Sequence, residues 1–181
     1  IKMNQMFVLF CAVLSACSFA RTDAKLHIGV YYESLCPDSM RFIKNQLAPT
    51  YDKIKDEVEI LFVPFGKANS NNGGASFTCQ HGPKECAINK VQSCALNELT
   101  GNQDLQVKYV TCQMELFADP TGEKCSKKVG IDFAKVQECT KGELGKGLQL
   151  EAEKQTNEFS PRFVPTIVYD HEFDQGLQNS S

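Results

Sequence analysis

Apolar and polar positions along this chain change rhythm several times, and each change marks an element. Residues 25–32 mix polar and apolar side chains with β-branched and aromatic types, which predicts a strand. Met40, Ile43, Leu47 and Tyr51 then recur at helical spacing, and Pro37 suits the first position of that helix, where its missing N–H costs nothing. A second strand is expected over residues 58–63, closed by Pro64. Strand, helix and strand in this order predict a βαβ start with parallel strands and a right-handed crossover.

Residues 66–75 are rich in Asn and Gly and read as a loop. From 77 to 139 cysteines become frequent, and Ala87, Val91, Ala95 and Leu99 show helical periodicity, which predicts an inserted helical subdomain. Residues 119–122 (Asp-Pro-Thr-Gly) read as a turn, and Cys112 and Cys125 on either side are candidates to pair across it. Leu148, Ala152 and Gln155 predict a helix ending near Asn157, and a third strand starts directly after Pro165. The sequence stops in what reads as mid-turn with no final helix, so a C-terminal truncation is expected. It opens Ile1-Lys2 and reaches Met only at position 3, as a translated fragment would.

Ahead of the first strand, Lys2 precedes an apolar run from Met6 to Leu14, and Ser18-Phe19-Ala20 places small residues at both cleavage-determining positions. That is the layout of a secretory signal peptide over residues 1–20; the run is too short to span a bilayer, and no other segment reads as a membrane span. Composition adds little: 42% hydrophobic and 23% charged residues are ordinary for a globular protein. A net charge of −3 argues against a nucleic-acid partner, which needs a basic face.

The cysteines change the picture more. Of nine, Cys11 and Cys17 leave with the signal, and an oxidising compartment favours pairing among the rest. Cys79, Cys86, Cys94, Cys112, Cys125 and Cys139 cluster, so three structural disulfides are expected there, in any of the fifteen connectivities that six cysteines allow. Cys36 is left as a free thiol where a strand hands over to a helix. A helix N-terminus stabilises thiolate, the nucleophile of disulfide exchange. The second cysteine that would resolve a mixed disulfide is replaced by Ser39, whose hydroxyl offers a hydrogen bond but no sulfur. Pro165, within Val164-Pro165-Thr166, sits where thioredoxin-like folds carry a cis-proline beside the active cysteine; read alone, it is equally an ordinary proline at a strand edge.

The most specific signal lies in the insert: Cys79-Gln80-His81-Gly82, two residues, Glu85-Cys86, two residues, Asn89, four residues, Cys94. Every specified position matches the signature of the GILT family, the lysosomal thiol reductases. The resemblance covers about residues 25 to 170. It implies an α/β, thioredoxin-like fold with an inserted disulfide-stapled helical subdomain. The expected division is core residues 21–65, insert 66–142 and core 143–181. Cys79, His81, Cys86 and Cys94 could instead hold zinc tetrahedrally, but zinc needs reduced thiolates, and no metal ligands are assigned. His81 reads as a hydrogen-bonded structural residue rather than an acid or base, and His27 and His171 carry no assignment.

By this resemblance the chain is a thiol-disulfide oxidoreductase acting on disulfide-bonded proteins. Cys36 is then the attacking thiol, Pro165 shapes the substrate groove, and an external small thiol such as cysteine or glutathione serves as reductant in place of any bound cofactor. Ser39 is expected to weaken the reaction. Two other readings stand beside it: a secreted, non-catalytic GILT-like binding protein, and a purely structural disulfide-rich domain. A depressed Cys36 pKa would favour the first reading, and an oxidised or buried Cys36 the last. Asn179, in Asn179-Ser180-Ser181, is the candidate glycosylation acceptor. The expected location is secreted or lysosomal.

Overall fold

The computed structural model describes residues 24–115 and 119–180; the expected signal segment, with Cys11 and Cys17, lies outside the described residues. Strand β1 (Leu26–Tyr32) pairs in parallel with β2 (Val58–Pro64), Leu26 facing Val58 and Tyr32 facing Pro64. Along β2, Val58, Ile60 and Phe62 are buried while Glu59 and Leu61 are exposed, the period-two pattern of a strand with one packed face. Strand β5 (Thr166–Tyr169) joins the other side of β1 in antiparallel register, giving the order β2-β1-β5.

The crossover helix is a composite. Helix α1 (Pro37–Phe42) runs into a π segment (Ile43–Leu47) and then α2 (Ala48–Ile54). Pro49 accounts for the change of pitch: it lacks an N–H, and its ring would strike the carbonyl four residues back in a regular helix. The Ala48 amide accordingly reaches back five residues to the Ile43 carbonyl. Ile43, Leu47 and Tyr51 still fall on the buried face.

Residues 66–75, expected as a loop, instead contain half of a hairpin, β3 (Asn69–Asn71) with β4 (Ser76–Thr78). Asn72, Gly73 and Gly74 adopt φ of 48°, 65° and 84°, and this left-handed run reverses the chain between the strands. Four helices follow: α3 (Pro83–Glu98), α4 (Gln103–Gln113), α5 (Glu123–Val129) and α6 (Phe133–Lys141). Helix α7 (Glu143–Phe159) then returns along β2 to the segment before β5. The expectation of no final helix is corrected as well: α8 (Gln175–Ser180) forms, its start held by the Leu177 amide donating to Asp174 Oδ1 at 2.8 Å. The Asp174 signal was missed because the segment is polar and lacks an apolar period.

One hydrophobic cluster joins Ile28, Val30, Tyr32, Ile60, Phe62 and Ile167 of the sheet to Ile43, Leu47 and Tyr51 of the crossover helix and to helices of the 83–141 region. A smaller cluster on the opposite face gathers Tyr31, Val63, Phe65, Ala68, Ala152 and Val168. Disulfides join Cys79 to Cys86, Cys94 to Cys139 and Cys112 to Cys125, and Cys36 is the free cysteine among the described residues. No described helix is long and apolar enough to cross a membrane.

The Cys94–Cys139 bridge closes the longest loop, 45 residues, and both half-cystines are buried. Replacing both by Ala is expected to cost about 3–5 kcal/mol, read from urea denaturation. A smaller link ties the crossover helix to the insert: Tyr51 donates to Asp104 Oδ1 at 2.7 Å. That hydrogen bond holds the Asp104 carboxyl below its ordinary value. A lowered folded-state pKa means stability present above the unfolded pKa and lost as pH falls through the folded one. In Tyr51→Phe the Asp104 titration, followed by carboxyl NMR, should move up toward the ordinary aspartate range; an unmoved midpoint would remove Tyr51 as the cause.

Candidate active site

Cys36 occupies the N-cap of α1 with extended backbone (φ −70°, ψ 121°), and Pro37 starts the helix. The turn before it is closed by the Cys36 amide donating to the Glu33 carbonyl at 3.3 Å, and the Cys36 carbonyl accepts from the Met40 amide at 3.0 Å. Cys36 is 7% exposed and its Sγ donates to the Val164 carbonyl at 3.7 Å. Across that contact the Val164–Pro165 peptide bond is cis. Thr166 Oγ1 donates to the Phe163 carbonyl at 2.6 Å, bracing the bend from which β5 departs. Cys36 and Pro165, 129 positions apart in sequence, are therefore brought together.

Ser39 is fully buried one turn into α1, and its Oγ accepts from the Glu33 amide at 3.4 Å. It thus helps to fix the turn that carries Cys36. Beside Pro165 a cleft of about 260 Å³ is lined by Phe159, Pro161, Arg162, Phe163, Phe173 and Gln175 among others. A larger cavity of about 640 Å³ lies at the far end of the sheet around Lys25, His27, Glu59, Leu61 and His171. It holds no thiol, and His27 and His171 stack there at 5.7 Å between ring centroids.

The signature residues converge on the same turn from the other side. Glu85 and Asn89, one turn apart on α3, are both fully buried and face residues 33–35. Asn89 Oδ1 accepts from the Ser34 amide at 3.0 Å, and Glu85 Oε2 from the Leu35 amide at 3.2 Å. Ser34 Oγ donates to the Glu85 carbonyl at 3.3 Å. His81 lies against Glu85, with its amide donating to Oε1 at 3.0 Å and Nδ1 at 2.6 Å from Oε2. Gly82, at φ 84°, caps α3, a conformation that favours glycine. The Cys79–Cys86 bridge closes the loop that carries His81, and Cys94–Cys139 ties α3 to α6. With these cysteines paired, the alternative zinc set of Cys79, His81, Cys86 and Cys94 does not assemble. Gln80 is exposed and takes no part in the turn. Asn179 is exposed on α8 with its Oδ1 accepting from Gln175 Nε2 at 2.9 Å, well along the chain from the thiol.

Glu33 was passed over by sequence reasoning, yet it is fully buried at the centre of this arrangement. Its Oε1 accepts from the Lys67 amide at 2.7 Å, and its Oε2 lies 3.4 Å from His81 Nδ1. Burial pushes the Glu33 carboxyl above its ordinary value and nearby Glu85 adds to the rise, against the lowering effect of the Lys67 hydrogen bond and of His81. Gly66, at φ +60°, leaves room for it: a Cβ there would collide with Glu33 Cγ. No single-sequence signal separates Glu33 from a solvated glutamate at a strand end.

A parallel βαβ start, a cysteine at the crossover helix N-cap and a cis-proline before an antiparallel strand define the thioredoxin-fold class. Comparison with solved structures agrees on the fold. Oxidised BdbD from Bacillus subtilis aligns with a TM-score of 0.62 at 14% identity, covering 86% of this chain and 81% of that one. DsbA from Pseudomonas aeruginosa aligns at 0.54 and 16% identity, covering 84% and 74%. The family model described as gamma interferon inducible lysosomal thiol reductase (GILT) matches residues 27–129. A gamma-interferon-inducible lysosomal thiol reductase-like protein of Anopheles gambiae is 36% identical, over 96% of this chain and 80% of the relative. GILT-like protein 1 of Drosophila melanogaster is 33% identical over 98% and 79%. The chain belongs to the GILT family.

If Asn89 holds the turn, Asn89→Ala strands the buried Ser34 amide and should cost about 1–3 kcal/mol in chemical denaturation. The same variant should react faster with iodoacetamide at Cys36. Unchanged stability together with unchanged alkylation would remove Asn89 from this role.

Proposed function

We propose that this chain is a thiol-disulfide oxidoreductase that reduces or exchanges disulfide bonds of protein substrates through Cys36. The observation that carries the reading is the free Cys36 at a helix N-cap with its sulfur 3.7 Å from the Val164 carbonyl, next to cis-Pro165, in a chain of the GILT family. As thiolate, Cys36 attacks one sulfur of a substrate disulfide, forms the Cys36–substrate bond and releases the other sulfur as a thiolate. Ser39 supplies no second sulfur, so turnover slows and passes to an external thiol such as cysteine or glutathione. One equivalent displaces the substrate thiol and leaves an adduct on Cys36. A second equivalent frees Cys36 and departs as the oxidised small-molecule disulfide. A thiol on the substrate that attacks the mixed disulfide instead gives exchange without net reduction.

In this reading residues 66–142 act as an insert that supports the active turn through Glu85 and Asn89 and the three disulfides. Pro165 shapes the groove. Three disulfides among the described residues and the signal-like N-terminus support a secreted or lysosomal location, with Asn179 as the candidate glycan site. A second reading draws on the burial of Cys36, which at 7% exposure offers a substrate only a thin edge of sulfur and favours a structural domain. The absence of a resolving thiol favours a binding protein in the same way.

Turnover of a disulfide-bonded protein with excess cysteine, from pH 4.5 to 7, separates these readings. The natural chain should turn over slowly, Cys36→Ala should be inert, and Ser39→Cys should gain roughly tenfold or more in rate, since resolution becomes intramolecular. Turnover confined to Ser39→Cys would make the natural chain a binding protein on a competent scaffold. Inertness of all three would leave the structural reading.

A further inference from the structure

Glu33, His81 and Glu85 each place one donor atom within 4.8 Å of the others. Their hydrogen-bond inventory does not close. His81 Nδ1 lies 2.6 Å from Glu85 Oε2, its nearest carboxylate oxygen. Glu33 Oε2, on a fully buried side chain, receives no hydrogen bond, although it is aimed at the same nitrogen from 3.4 Å. The other oxygen of Glu33 is held by the Lys67 amide, which fixes Oε2 in that direction. A buried, unpartnered carboxylate oxygen is costly to leave unsatisfied.

We propose that Glu33, His81 and Glu85 form a binding site for a zinc-type divalent cation, held by Glu33 Oε2, His81 Nδ1 and Glu85 Oε2. One nitrogen and two carboxylate oxygens are a donor set that Zn²⁺ accepts, and three protein ligands leave one position for water. Ligands about 2.0–2.1 Å from a tetrahedral zinc lie roughly 3.4 Å apart. The Nδ1–Glu33 separation already has that value, and the 2.6 Å Nδ1–Glu85 separation has to open as the cation enters. The two carboxylates are 0% exposed and the His81 side chain 33%, so the open position and the entry path lie on the His81 side. The outer contacts are in place: the Leu35 and His81 amides on Glu85 and the Lys67 amide on Glu33 orient the ligands. This proposal is independent of thiol turnover, because Cys36 supplies no ligand.

The test is calorimetric titration of the metal-stripped, disulfide-intact chain with Zn²⁺ at neutral pH, repeated with Mg²⁺. One equivalent of Zn²⁺ and no saturable Mg²⁺ binding are expected. Cys36→Ser and His171→Gln should bind as the natural chain does, which excludes the free thiol and the stacked histidine pair. His81→Gln and Glu33→Gln should each weaken binding by about tenfold or more. His81 is partly exposed, so its variant carries the test should Glu33→Gln fail to fold. The Co²⁺ complex of the natural chain should show d–d absorption without a thiolate charge-transfer band. Absence of saturable Zn²⁺ binding would reduce the triad to a shared proton. Unchanged affinity in His81→Gln, loss in Cys36→Ser or His171→Gln, or a thiolate band with Co²⁺ would each overturn the site.

Discussion

Two backbone amides in the turn before Cys36 have no secondary structure to satisfy them, and the insert provides their acceptors. The Ser34 amide donates to Asn89 and the Leu35 amide to Glu85, both from buried side chains on one face of α3. Buried amides left unpaired are expensive, so this pairing decides where the turn sits. The placement of Cys36 hangs on it: the turn sets the N-cap, the N-cap sets the direction of Cys36, and that direction puts the sulfur against the Val164 carbonyl.

A carboxylate is a demanding anchor to bury, and the surroundings of Glu85 and Glu33 are built to hold it. His81 lies between them, Gly66 gives up a side chain so that Glu33 fits, and the Lys67, Leu35 and His81 amides all point at carboxylate oxygens. The disulfides serve the same end. Cys79–Cys86 closes the loop carrying His81, and Cys94–Cys139 locks the helix carrying Glu85 and Asn89 to its neighbour. Neutral polar pairs extend the layer, with Tyr32 donating to Gln92 at 2.6 Å and Gln149 Nε2 donating to Ser93 Oγ at 2.8 Å. The family signature is then mainly a set of supports for a thiol that lies outside it.

Ser39 has a structural role in the turn before Cys36. Its hydroxyl accepts the Glu33 amide within the same turn, a contact that a thiol would make more weakly. The serine therefore places no sulfur at this position while bracing the turn that carries Cys36.

Strand and helix periodicity, the N-cap position of Cys36, the separation of one lone cysteine from six clustered ones and the signature spacing were all legible in the sequence, because each is a local pattern. The βαβ start and the helix through Tyr51 follow from apolar spacing alone. The hairpin over residues 69–78 and the short helix after Asp174 were not, since both rest on polar residues whose turns and caps are satisfied only in context. Nor were the pairing of Cys79, Cys86, Cys94 and Cys139, the cis state of Pro165 or the burial of Glu33. These depend on which segments meet across dozens of residues, and one-dimensional spacing carries no record of that. Sequence determined the main elements and the candidate residues they bear. Tertiary structure decided which amides needed acceptors and which side chains could reach them, because the cost of an unpaired buried group exists only once water has been excluded.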